Sequence, residues 1–67
     1  MLMLTINGEP HEIDGATTLP DLLTLLNVAT TNLLVERNGV VMRADQFAGT
    51  RLADGDVLEL VRLVGGG

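Results

Sequence analysis

A chain of 67 residues, 46% hydrophobic and without cysteine, has room for one small domain held by aliphatic packing, and excludes disulfides and thiolate metal sites. Nine acidic against four basic side chains give a formal charge of −5, which excludes the cationic surface that nonspecific nucleic-acid binding needs. Such a charge either serves solubility or steers the chain toward partners with basic docking surfaces.

Taken in order, Leu2, Leu4 and Ile6 alternate with Met3, Thr5 and Asn7, the period of a half-buried strand. Asn7-Gly8 follows, a hairpin dipeptide because both central positions of a type I′ turn require positive φ. A second strand is predicted from His11 to Asp14, closed by Gly15. Thr18 then caps a helix, with Asp21 three residues on completing a capping-box-like pattern and Pro20 in the first turn, where its missing N–H does little harm. Leu19, Leu22, Leu23 and Leu26 give that helix one apolar face, and Asn27 with Thr30-Thr31-Asn32 ends it.

Leu33 to Arg37 read as a third strand and Asn38-Gly39 as a second hairpin turn, with Val40 to Arg43 as a short fourth strand. Asp45 to Leu52 is irregular, with Phe47, the single aromatic, plugging one end of the core. Asp54-Gly55-Asp56 is a turn, and Val57 to Val64 form a strongly apolar last strand. A hairpin, a crossover helix and a last strand returning through the middle of the sheet describe an α+β chain of the β-grasp type. It has a mixed sheet of four to five strands with one helix on one face. Residues 1–64 make the globular domain and 65–67 a flexible glycine tail.

In the last strand Leu58 and Leu60 are expected to face the helix, while Val57, Glu59, Val61 and Leu63 face the other way. An apolar patch of that kind marks a protein-docking surface or is covered within the chain. The longest uncharged stretch, residues 22–35, is interrupted by polar side chains and falls short of the ~20 residues of a spanning helix. The opening Met1–Ile6 lacks the basic region of an export signal, so no membrane association and a cytoplasmic location are expected.

The chain has no Cys, Ser, Lys, Tyr or Trp, which removes most covalent nucleophiles. His11 has no second ligand at a recognisable spacing and reads as an ordinary strand residue, so no metal site is expected. Gly65-Gly66-Gly67 has neither the Lys-Ser/Thr nor the helix of a phosphate-binding loop. The chain therefore reads as a non-enzyme whose one reactive feature is the α-carboxylate of Gly67. Glycines pass a narrow channel and adopt any backbone angle, and three of them reach about 10 Å beyond the globule. With no lysine, no side-chain amine competes for an activated carboxyl. A run of terminal glycines is also compatible with a plain frayed end.

Asn38-Gly39-Val40-Val41-Met42-Arg43, Phe47, the stretch Leu52 to Val61 and Gly65-Gly66-Gly67 together resemble the ThiS family, sulfur carriers of thiamine biosynthesis. Thr18-Leu19-Pro20-Asp21-Leu22-Leu23 matches that family's helix start, and the family often has proline at Met42 and tryptophan at Phe47. The resemblance implies that a ubiquitin-activating-like adenylyltransferase uses Mg-ATP to adenylate Gly67. A persulfide from a cysteine desulfurase then converts it to a thiocarboxylate, which passes sulfur to thiazole synthase. It implies that Gly65 and Gly66 are recognised in the partner channels, that Val57, Glu59, Val61 and Leu63 dock, and that the chain itself holds no cofactor. Carriers for tRNA thiolation or molybdopterin synthesis share this logic. A noncovalent β-grasp adaptor would use the sheet face and leave the tail idle.

Overall fold

The computed structural model describes residues 1–63; Val64 and the predicted tail, Gly65 to Gly67, lie outside the described residues. Strands β1 (Leu2–Ile6) and β2 (Glu9–Ile13) form an antiparallel hairpin across Asn7-Gly8, whose φ values of 51° and 81° are the left-handed pair a type I′ turn demands. Helix α1 (Leu19–Leu25) follows, then a second antiparallel hairpin, β3 (Leu33–Arg37) and β4 (Val40–Met42), across Asn38-Gly39. A single 3-10 turn at Ala44–Gln46 leads to β5 (Val57–Arg62).

The sheet order is β2-β1-β5-β3-β4, so the last strand lies in the centre, parallel to β1 and antiparallel to β3. One helix against one face of a mixed five-stranded sheet is the expected β-grasp arrangement. Among the described residues no helix is long and apolar enough to cross a membrane.

The ends of the elements differ from expectation where local pattern is weak. β2 begins two residues earlier, at Glu9, because pairing of Ile6 with Glu9 and Thr5 with Pro10 recruits residues with no apolar alternation. Pro10 is tolerated there because β2 is an edge strand. β4 stops at Met42, one residue short, because Arg43 starts the 3-10 turn. β5 is assigned to Arg62, and Leu63 lies beyond it.

Helix α1 begins as its cap residues require: Thr18 is extended and its hydroxyl accepts from the Asp21 amide at 3.3 Å. Only this half of the capping box is formed. The helix closes at Leu25 with Leu26 as its C-cap, and Asn27 next, with a φ of 58°, leaves the right-handed region. Its Leu19, Leu22 and Leu23 are fully buried against Leu4, Ile6, Ile13, Val35 and Leu58, while Leu26 is only partly covered. Phe47 is buried in the same cluster, as its role as a plug requires. The 50–52 segment is stitched to the helix start, Leu19 N donating to Thr50 O at 3.0 Å and Leu52 N to Thr17 O at 2.9 Å.

Candidate functional site: the open sheet face and the end of the central strand

Side chains alternate across a strand, and residues directly opposed in a ladder share a face. Opposite the helix, the register brings together Met3 and Thr5 of β1, Val57, Glu59 and Val61 of β5, Leu34 and Glu36 of β3, and Val41 of β4. Leu58 and Leu60 point to the helix, Leu58 completely buried and Leu60 half-buried. The four residues expected on the open face are all exposed: Val57 by 43%, Val61 by 47%, Leu63 by 53%, and Glu59 as well. No described residue covers them, so of the two possible fates of the patch, burial under the described residues does not occur. Met3 and Val41, equally exposed, widen it on both sides.

Both hairpin turns contribute to holding β5 in place. The parallel pairing with β1 spans only Thr5 to Val57 and Ile6 to Leu58. Asn7 prolongs it past the end of β1: its amide donates to Leu58 O at 2.9 Å and its Oδ1 accepts from Leu60 N at 2.7 Å. Asn38 does the same from the other side, its Oδ1 accepting from Val57 N at 2.8 Å and its amide donating to Val57 O at 2.7 Å. An asparagine in the left-handed region thus serves two purposes at each turn, making the bend and bracing the central strand.

At the start of β5, Asp56 is buried with an exposure of 6% and accepts three hydrogen bonds: from Ala53 N at 2.9 Å, Arg37 Nε at 3.0 Å and Asn38 Nδ2 at 3.0 Å. Burial by itself raises the carboxyl pKa, but the three donors and the Arg37 charge outweigh it and hold the group below the usual 3.8. Arg37 also donates to Arg51 O at 3.0 Å.

At the far end, Arg62 fastens the loop after α1. Its Nη1 donates to Thr31 O at 2.5 Å and its Nη2 to Ala29 O at 2.9 Å, while Leu63 N donates to Asn32 O at 2.7 Å. The position from which the chain runs on toward Gly65, Gly66 and Gly67 is thereby fixed. Those three glycines lie outside the described residues.

The sequence marks Asp56 only as part of a turn; its buried carboxylate, and the partners of Arg37 and Arg62, emerge only with the fold. A signal exists for both arginines. Leu33, Val35 and Arg37 share the inward side of β3, and Leu58, Leu60 and Arg62 that of β5, so each arginine occupies an inward position that demands a partner. His11 stands on the edge strand β2 opposite Leu4, and among the described residues no group of three or more His, Cys, Asp or Glu could hold a metal ion. A groove of about 430 Å³ between β4 and the 46–50 segment, bordered by Arg37, Met42, Gln46 and Thr50, contains none of the residues assigned from the sequence.

The ThiS family model matches residues 4–67. The chain is 35% identical over 66 residues to the sulfur carrier protein ThiS of Bacillus subtilis, covering 97% of this chain and all of that protein. It is 36% identical over 66 residues to a thiazole synthase of Magnetococcus marinus, covering 98% of this chain and 20% of that protein. A thiazole synthase of Paramagnetospirillum magneticum gives the same identity and coverage, so the chain spans about a fifth of the length of these two relatives. The crystal structure of a thiamine biosynthesis protein (ThiS) from Geobacter metallireducens superimposes with a TM-score of 0.85 at 39% identity, covering 98% of this chain and 100% of that one.

Proposed function

The chain belongs to the ThiS family, and from that premise we propose that it is a sulfur carrier of thiamine biosynthesis whose Gly67 carboxylate is adenylated and then converted to a thiocarboxylate. The observation that carries this reading is that the family match extends to residue 67 and so takes in Gly65 and Gly66. A chain without cysteine or lysine has neither a side-chain thiol to carry the sulfur nor an amine to intercept the activated end.

The chemistry balances around the terminal carboxyl. A carboxylate oxygen attacks the α-phosphorus of ATP, held with Mg in the partner's site, and pyrophosphate leaves. A persulfide sulfur, supplied through a cysteine desulfurase, attacks the acyl adenylate and expels AMP. Reductive cleavage of the resulting acyl disulfide by a thiol leaves the Gly67 thiocarboxylate. The chain acts throughout as a protein cosubstrate in the cytoplasm; the adenylating partner supplies the catalytic groups and the Mg-ATP. Gly65 and Gly66 bring the end into the partner's channel without a Cβ to obstruct it.

Thiazole synthase is the acceptor in this reading. In the Magnetococcus and Paramagnetospirillum proteins, a segment similar to this chain is part of a polypeptide named for that activity. Docking falls to the open sheet face with Val57, Glu59, Val61 and Leu63, because that patch is exposed and sits on the strand that leads to the tail.

The test is an intact mass after incubation with ATP, an adenylating partner and a persulfide source, with and without an alkylating agent. Exchange of oxygen for sulfur resembles oxidation of one methionine in mass, so alkylation is needed to separate the two. The expected result is one adduct mapped to Gly67. An unmodified terminus, with the partner shown active on another carrier, would sink the carrier reading.

A further inference from the structure

The open face carries one feature that an apolar docking patch does not need. Glu36 of β3 and Glu59 of β5 are directly opposed in the antiparallel ladder and project to the same side. Cβ atoms of such a pair stand roughly 4.5–5.5 Å apart, and like charges at this spacing destabilise a sheet. Their surroundings are apolar: Leu34 with Val61 on one side, Val57 on the other, and Val41 opposite Glu36. Glu36 is half-buried among them and Glu59 exposed.

No cation relieves the pair. Neither carboxylate takes part in an ion pair among the described residues, and no arginine stands among the strand residues of this face. Arg37 and Arg62 belong to the inward side and are engaged with Asp56 and with loop carbonyls. Arg43, next in alternation after Val41, is turned to Asp45 at 3.6 Å. Arg51 lies outside the open-face ladder, bridged to Thr18 at the start of the helix. Two carboxylates forced together in the middle of an exposed apolar face, with no ion pair to an arginine among the described residues, are complementary to a cation brought from outside.

We propose that the partner docking on this face presents an apolar surface with an arginine guanidinium at its centre, seated over the Glu36–Glu59 couple. This rests on the reading of the face as the docking surface given above. Arginine suits the couple better than lysine, because its planar fork directs several N–H donors at once and is less strongly hydrated than an ammonium group, so one side chain can bridge two carboxylates. A second copy of this chain does not fit. Face to face, two copies would set the glutamates of one against those of the other. The apolar rim supplies contact area, while the carboxylates make the partner's arginine a condition of binding and set its position on the sheet.

The experiment compares the wild-type chain with Glu36→Gln, Glu59→Gln, the double variant, Val61→Ala and Val61→Asp. The probe is the adenylating enzyme of the same organism, without ATP, with the dissociation constant measured by calorimetry across a salt series. Glutamine keeps the shape and removes the charge, so each glutamine variant is expected to fold at least as stably as wild type, checked by its melting curve. Each single glutamine variant is expected to bind about tenfold more weakly, with a flatter salt dependence in the double variant. Val61→Ala is expected to weaken binding and leave the salt dependence unchanged.

If the glutamine variants bind like wild type while Val61→Asp abolishes binding, the face docks and the arginine proposal is overturned. Should Val61→Asp also bind like wild type, the docking reading itself falls and takes the proposal with it. Self-association of the wild-type chain in sedimentation, dissolved by Val61→Asp, would assign the face to a second copy and likewise overturn the proposal.

Discussion

Replacing Asp56 by alanine is expected to lower the unfolding free energy by about 3 kcal/mol, the range found when one partner of a buried ion pair is removed. Three donors converge on its carboxylate, and all lose their acceptor together: the Ala53 amide, the Asn38 side-chain amide and the Arg37 guanidinium. The loss falls on a domain whose total stability, at 0.05–0.15 kcal/mol per residue, is only about 3–10 kcal/mol. In a domain of this size it corresponds to a fall in melting temperature of about 12–24 °C. Asp56→Asn retains the shape and one acceptor oxygen and is expected to fall between the two.

The pH dependence has a definite sign. Because the folded-state pKa of Asp56 is depressed, the stabilisation from its ionised form is complete above the unfolded value, near 3.8. It is lost as pH falls below that through the folded value. The alanine variant lacks this acid-side component. Urea titrations at neutral pH and at a series of acidic pH values check both statements; an alanine variant within 0.5 kcal/mol of wild type, roughly the scatter of ordinary surface substitutions, would show the network to be dispensable.

The largest effect on function is expected from deleting Gly67. The terminal carboxylate would retract by one residue, about 3.3–3.6 Å. A displacement of even 1 Å at a reacting centre costs roughly 10²-fold in rate, so adduct formation in the mass experiment should fall to background. Docking through Val57, Glu59, Val61 and Leu63 should survive, since the first three stand on β5 and Leu63 directly follows it, all ahead of the glycine tail. Calorimetry against the adenylating partner, run beside the mass measurement, separates the two properties. A deletion variant that still acquires sulfur would place the reactive group elsewhere; one that carries no sulfur yet binds is the behaviour expected of a carrier.

Much of this architecture was legible because its decisive signals are local. The two Asn-Gly turns appear as two residues in the left-handed region at each hairpin, Thr18 caps the helix, and Leu19, Leu22 and Leu23 bury the face their spacing announced. The alternation of β5 separated Leu58 from Val57, Val61 and Leu63. What stayed hidden depends on register between distant segments. Asp56 meets Arg37 and Asn38 only once β3 and β5 are aligned, and the juxtaposition of Glu36 with Glu59 arises from the same alignment. β2 was misjudged at its start because Glu9 and Pro10 owe their extended form to β1, not to their own propensity.

The central position of the last strand has a consequence for how the molecule assembles. The two hairpins are local and need only short loops to close, but neither touches the other: β1 and β3 are joined solely through β5. Until residues 57–62 insert, there is no sheet for the helix to cover, and bringing Thr5 to Val57 closes a loop of most of the chain. The central strand is thus also the keystone of the sheet. Native-state hydrogen exchange is expected to show one cooperative unit, with the slowest amides of β1 and β3 exchanging at the same free energy. A lower value for either hairpin alone would mean that part of the sheet outlives the loss of its centre.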